Sequence, residues 1–473
     1  MARHMAARLG LGVLVLGGVA ATARAETLAD AVALAYGSNP TLQAQRAAQR
    51  ALDETYVQAS AGYNPTASAR GIVTTDDNNA LGASRSGRPT GQSQTSAATL
   101  TITQPIWTGG RVSGAVDAAK AGVLAGRERL RAAEQSVLDG VIQAYADVRR
   151  DQESVAIAED NVALLQRQSE QSRARFEVGE ITRTDVAQTE CRVAAARAQR
   201  AAALAQLANS RAGYGAVVGQ NPGNLAPEPP LARLLPATLD QAFAAAEQDS
   251  PLIRQAQFAE QASAAQLAAV KAETRPTFAL QANLGYSGGN FGLATPFANY
   301  THDVSATAVA SFPLFTGGLT SSRIRQAAET NSVDRINIET TRRQVLLSVS
   351  RAWNQLLGAR ASLDANTQQV SAANIAFEGT RQEAEAGLRT TLDVLITAQD
   401  LRNAELALVS SRHDEYVAAA AVLEAAGALY ARDLSAAAPA YDPKANFDRV
   451  RHAWGWTPWA PAIAGIDRLG APK

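Results

Sequence analysis

The feature that most restricts this chain is a proline-free run from Leu314 to Ala438 in which apolar residues return every seven positions. Val349, Leu356, Leu363, Val370 and Phe377 are each seven apart, and Val345 and Trp353 lie on the same side. A sustained seven-residue repeat keeps one seam against a partner helix and imposes a left-handed supercoil. The run breaks only briefly, at Ala386-Gly387. A helix of roughly 70 residues is about 100 Å long, whereas an ordinary globular helix has about 11–12 residues. A compact domain has no use for such a rod.

The same object occurs earlier. A second proline-free run, from Ile106 to Pro222, carries its heptad on Val141, Val148, Val155 and Val162. Adding 208 to each gives Val349, Leu356, Leu363 and Val370, and Tyr145 maps onto Trp353. Upstream of each rod the punctuation also repeats. Thr27-Leu28, Pro40 and Pro65 recur as Thr238-Leu239, Pro251 and Pro276 at an offset of 211. The chain is a tandem duplication, and that finding precedes any other reading of the fold.

The spacing predicts a first repeat over 26–218, with a β-hairpin at about 66–106, a long helix over 109–178 and a helix over 182–217. A proline-rich connector follows over 219–237. The second repeat spans 238–432, with a hairpin at about 277–313, a long helix over 316–386 and a helix over 390–431; a tail occupies 433–473. Within the hairpins, polar and apolar residues alternate. Phe278, Leu280, Ala282, Leu284 and Tyr286 share one face, as do Val304, Ala306, Ala308, Ala310 and Phe312. Leu100 and Ile102 alternate with Thr99, Thr101 and Thr103, and the strand after Pro65 alternates less clearly. Strands of about ten residues with this pattern are the signature of a transmembrane barrel. Four strands cannot close a barrel, and an open edge is not stable in lipid. The chain is therefore expected to oligomerise through its sheet: two copies give eight strands, whose interior side chains would fill, and three give twelve, enough for an open lumen, so that three or more copies are favoured.

The address agrees. Arg3, His4 and Arg8 precede an apolar stretch from Leu9 to Ala21 and an Ala23-Arg24-Ala25 cleavage site, so 1–25 reads as a secretory signal. No other run is long and apolar enough for a spanning helix. Zero formal net charge gives no support for nucleic-acid binding. The one cysteine, Cys191, lies mid-helix and is read as a small packed side chain. The four histidines (His4, His302, His413 and His452) are scattered, and no nucleophile, metal or phosphate motif is present. No enzyme, cofactor or metal site is expected.

At the far end of each rod a motif repeats. Gly179, Thr182, Asp185 and Val186 map by 208 onto Gly387, Thr390, Asp393 and Val394. Glycine ends a helix in the left-handed region, threonine caps the next one, and aspartate faces its positive end. With the signal, the duplicated helix–hairpin–helix plan, the proline before each hairpin and the Gly-Gly opening each rod, this set resembles the TolC outer-membrane efflux family over Glu26 to about Ala431. It is more similar to the non-lipidated branch.

The resemblance implies a homotrimeric channel-tunnel with one twelve-stranded barrel in the outer membrane and a coiled-coil α-helical tunnel through the periplasm. It implies a periplasmic adaptor and an inner-membrane ABC, RND or MFS transporter docked at the helix turns around Gly179, Thr182, Gly387 and Thr390, serving type I protein secretion or multidrug efflux. It further implies a closed lower end with an acidic ring at Asp393, and a tether between Asp185 and Arg389. Two positions depart from the family pattern. Ile396 stands where a second acidic ring is expected, and Ala384 where the tether has a tyrosine. The competing reading is a periplasmic coiled-coil structural or adaptor protein without a pore, but adaptors have a single helical hairpin.

Overall fold

The computed structural model describes residues 25–77, 92–289, 300–451 and 457–469. The expected signal, most of the first hairpin loop, and Trp454 and Trp456 lie outside the described residues. The first repeat comprises α1 (Leu28–Ser38), α2 (Pro40–Ser60), β1 (Thr66–Asp77), β2 (Gln92–Trp107), α3 (Arg111–Glu177) and α4 (Arg183–Val218). The second comprises α5 (Leu239–Asp249), α6 (Pro251–Lys271), β3 (Thr277–Gly289), β4 (Thr301–Ser311), α7 (Leu319–Glu385) and α8 (Thr391–Ala425). α3 and α7 have 67 residues each, α2 and α6 have 21 each, and α1 and α5 have 11 each. The duplication is therefore one of lengths as well as motifs.

Boundaries follow local chemistry. α3 and α7 start later than the spacing suggests, because Gly109, Gly110, Gly317 and Gly318 all have positive φ and cannot belong to a right-handed helix. α8 ends at Ala425, short of the expected 431. The chain turns there at Gly427 (φ +74), where an added Cβ would lie 2.9 Å from the Asp249 carbonyl oxygen. Only glycine fits so close to another backbone.

The four strands form one antiparallel sheet in the order β1-β2-β3-β4. Ala69, Leu100, Leu284 and Val304 lie in one row across it, and Ala67, Ile102, Ala282 and Ala306 in the next. The opposite face carries Ser68, Thr101, Asn283 and Ser305 in register. β1, the strand whose alternation is weakest, pairs with β2 along its whole length. Both outer edges, β1 and β4, are unpaired.

Below the sheet, α3 packs against α2, α4, α6 and α8, and α7 against α5, α6 and α8. The seam residues behave as the heptad requires: Val141, Val148 and Val349 are fully buried, Leu356 nearly so. The main core lies at mid-length, where α1, α3, α4 and α8 meet the connector. Tyr145 is fully buried there and its hydroxyl donates to the carbonyls of Ala226 (2.6 Å) and Glu26 (3.1 Å), tying the connector to the rod.

The tail is ordered where it is described, as α9 (Ala431–Leu434), α10 (Pro443–Val450) and α11 (Ala460–Arg468). The fully buried Asp467 of α11 accepts hydrogen bonds from Thr108 N (2.7 Å), Thr108 Oγ1 (2.9 Å), Gly110 N (3.2 Å) and Ser113 N (3.1 Å). The N-cap of α3, Gly110, has no side chain to offer; Thr108 Oγ1 takes the Val112 amide at 3.1 Å, and a carboxylate from 354 residues later in the chain takes that of Ser113.

Two of the glycines early in α3 have a packing reason. A Cβ on Gly114 would lie 2.8 Å from the Ala269 backbone nitrogen, and one on Gly126 would lie 2.5 Å from the Gln49 side chain, whereas Gly122 faces open space. Gly114→Ala therefore overpacks the α3–α6 contact and destabilises by about 1–3 kcal/mol. Gly122→Ala stabilises by up to about 1 kcal/mol. Denaturant melts of the two variants separate these cases.

Asp139 is buried on α3, and burial, then the nearby Glu424 carboxylate, push its pKa up to about 7. A carboxyl whose folded pKa is raised supports the fold below its unfolded pKa, and that support is lost as pH rises through about 7. Asp139→Asn, which still accepts a bond from Gln143, is expected to raise thermal stability at pH 8 and to leave it little changed at pH 4.

Candidate functional site: the two hairpin tips

The helices turn back at two tips, α3–α4 and α7–α8, built alike. Gly179 and Gly387, both at φ +78, end the long helices. The amide of the next residue, Glu180 or Leu388, then bonds back to the carbonyl of Arg175 (2.9 Å) or Glu383 (2.8 Å). Left-handed glycine followed by such a back-bond is a standard way to close a helix.

Thr182 and Thr390 then open the next helices through reciprocal capping boxes. The Asp185 carboxylate accepts from Thr182 N (2.9 Å) and Thr182 Oγ1 (2.8 Å), and Asp393 does the same with Thr390 (3.0 and 2.8 Å). In each box only Oδ2 is engaged. Hydrogen bonds from the backbone and side chain of Thr182 hold the Asp185 carboxyl below the usual carboxylate range, and those from Thr390 do so for Asp393. Both are therefore ionised at neutral pH.

Arg389 does not meet Asp185 within the chain. Its Nε lies 2.8 Å from Glu383 Oε2, across its own turn. Arg175 and Glu180 make the matching pair across the first tip at 2.9 Å. Further from the tips, Arg402 of α8 donates to Gln199 of α4 and His413 of α8 meets Asp147 of α3 at 2.9 Å, but close to the tips the link between the two hairpins is apolar. Leu395 of α8 is buried against Leu165 of α3 and Val193 and Ala196 of α4. One residue earlier, Val394 packs on Phe377, Ala398 and the partly buried Leu164. Leu395 and Glu383 were not legible as site residues, because each reads as an ordinary helix position until the fold brings its partner close.

The solvent side of the tips is unusually apolar for exposed turns. Val178 is 72% exposed and Leu388 77%. Leu392 and Ile396 follow Leu388 at four-residue steps and are also exposed, so Ile396 continues an apolar strip that flanks Asp393 on α8. Among the described residues there is no cluster of metal-ligating side chains.

These contacts separate two variants. Leu395→Ala removes the bridge between the hairpins at a cost of about 2–5 kcal/mol. It should speed amide exchange in both tips. Thr390→Ala removes one cap, costs about 1 kcal/mol, and should speed exchange only at the start of α8. Hydrogen-exchange mass spectrometry of the native protein reads both.

Residues 31–220 and 243–428 match the family described as outer membrane efflux protein. The outer membrane efflux protein BepC of Brucella suis is 34% identical over 450 residues, covering 95% of each chain. The alkaline protease secretion protein AprF of Pseudomonas aeruginosa is 28% identical over 313 residues, covering 65% of this chain and 64% of its own. Among solved structures, the outer membrane protein VceC of Vibrio cholerae superposes with a TM-score of 0.69 at 21% identity, over 85% of this chain and 96% of its own. The CmeC channel of Campylobacter jejuni gives 0.73 at 15% identity, over 90% and 89%. Members of the family are channels, not enzymes, set in the outer membrane and reaching through the periplasm. On the duplicated fold, the paired tips and these likenesses together, the chain belongs to the outer membrane efflux protein family.

Proposed function

We propose that three copies of this chain form one channel-tunnel that serves as the exit duct for an inner-membrane pump and a periplasmic adaptor. The observation that carries this reading is a second heptad seam on α7. Leu319, Val333, Leu347 and Ile375 are separated by multiples of seven, with polar residues such as Gln326, Thr340 and Asn354 at the steps between; Ile336 sits three positions beyond Val333 and Leu357 ten beyond Leu347. All six apolar residues are 49% to 72% exposed in the single chain. This is an a/d pattern distinct from the seam of Val345, Val349 and Leu356, which is buried within the chain. α3 buries residues along its whole length, whereas α7 buries only seven, so α7 is a helix with one seam filled and one waiting. A second copy, related by rotation, fills it and at the same time pairs β4 with the next β1. Three copies give twelve strands, enough for an open lumen.

In that assembly the α7–α8 tips converge at the periplasmic end. Three Asp393 carboxylates, ionised and with Oδ1 unengaged in each cap, form one acidic ring. Ile396, one turn on, replaces a second ring with an apolar one. Like charges at close quarters favour cations in the constriction. The free Oδ1 of Asp185 faces a partner outside the chain, and Arg389 of a neighbour, exchanging Glu383 for Asp185, is that partner. The exposed apolar residues Val178 and Leu388, beside Gly179, Thr182, Gly387 and Thr390, are the surface that an adaptor's helical hairpin would cover. The pump above which such a duct sits is of the ABC, RND or MFS kind. The efflux relative BepC and the protease-secretion relative AprF support drug efflux and protein secretion respectively, and both readings stand.

Single-channel recording in planar bilayers tests this. The wild type should give small, cation-selective steps blocked by a trivalent cation. Asp393→Asn keeps the capping geometry, since an amide oxygen still accepts from Thr390, but it should lose the block by about ten-fold or more. Steps of unchanged sensitivity would place the constriction elsewhere.

A further inference from the structure

α11 lies at the foot of the sheet, and its attachment tells which side it is on. Ile463 is buried against Tyr63, Val112 and Val116, and Asp467, one turn later, caps α3. At the start of the helix the Trp459 indole N–H donates to Gln104 Oε1 at 3.0 Å. Gln104 stands on the same face of β2 as Leu100 and Ile102, four and two residues away, and opposite Leu280 of β3. That is the apolar face of the sheet. α11 is therefore fastened to the lipid side of the barrel strands, at the end next to the helices and away from the hairpin loops.

The surface that α11 turns away from the protein is itself apolar. Trp459 is 49% exposed, Ile466 43% and Leu469 89%. Ala462 and Gly465 complete the strip, and the exposed Arg468 borders it, 3.7 Å from Asp117. We propose that α11 is an interfacial anchor that lies in the periplasmic leaflet of the outer membrane, its apolar strip at the boundary between phospholipid headgroups and acyl chains. The strip is continuous with the apolar face of the sheet, so the two form one lipid-facing surface. Tryptophan with a flanking arginine is the residue pair that favours that boundary. A helix of nine residues would not hold to a bilayer unaided, but here the Asp467 clamp and the Trp459–Gln104 bond fix it in place, so little ordering remains to be done on insertion. The anchor gives each chain a membrane contact beyond its strands, at the joint where barrel meets tunnel.

This inference rests on the sheet's apolar face meeting lipid, and the test separates the two. Full-length protein lacking its native thiol (Cys191→Ser) carries a single bimane label at Leu469→Cys, Ile466→Cys or Val304→Cys, and is reconstituted in phosphatidylcholine–phosphatidylglycerol vesicles. Cys191, exposed on α4 rather than packed as its mid-helix position suggested, is labelled in the wild type as the aqueous control. Brominated phospholipid should lower the emission at 469 and 466 about two-fold, as at 304, and leave 191 unchanged. Aqueous iodide should quench 191 alone. Iodide quenching at 469 and 466 without lipid quenching would overturn the anchor by placing the strip in water. Protection from both quenchers would overturn it by placing a neighbouring subunit there. Loss of lipid quenching at 304 would instead overturn the barrel reading itself.

Discussion

A strand in lipid has nowhere to send its backbone N–H and C=O groups except to another strand. The sheet of this chain has four strands and two open edges, and its apolar face is fit for hydrocarbon. That single requirement makes the isolated subunit incomplete. The helical part is incomplete for a different reason, because α7 leaves six large apolar residues of a second heptad series exposed along its length. One open edge, β4, and the exposed seam of α7 belong to the same repeat, and in the proposed assembly the rotation that closes the first brings a neighbour to the second.

The internal organisation serves that closure. The first rod is buried on many sides, clamped at its barrel end by Asp467 and tied at mid-length by Tyr145. The matching junction of the second repeat is bare: Leu314 and Phe315 are almost fully exposed, and nothing surrounds Gly317 or Gly318. Both repeats share the core at mid-length, where α8 meets the first repeat, but at the barrel end the first rod is clamped and the second presents its surface outward. At the tips the same asymmetry recurs in reduced form. Both turns are capped alike, but Leu395 reaches from the second hairpin into the first, so the second separates from the first only by lifting an apolar side chain out of its neighbour.

Much of this was legible in the residues because it is periodic. A heptad over Val141 to Val162 and its copy 208 residues on need no structure to be seen, and glycine, threonine and aspartate at fixed spacing announce a turn whose caps were then found as drawn. What escaped is aperiodic or distant. Asp467 caps a helix that begins more than 350 residues earlier, and nothing in Ile-Asp-Arg marks it as a cap. Arg389 was matched to Asp185 by resemblance, whereas the nearer Glu383 takes it within the chain. The continuing apolar run predicts that α8 reaches 431, while Gly427, in the left-handed region and with no room for a Cβ beside the far-off Asp249 backbone, turns the chain after Ala425. The second seam on α7 became visible only when exposure sorted its apolar residues into two sets.

The central claim is that the open edges and the uncovered seam are completed by copies of the same chain. Native mass spectrometry of the protein released from detergent micelles tests it most directly. The account predicts a particle of three chains that falls apart, without intermediate species of high abundance, when Leu347 and Ile375 are both changed to aspartate. A particle of one chain, or a three-chain particle indifferent to those two changes, would contradict it.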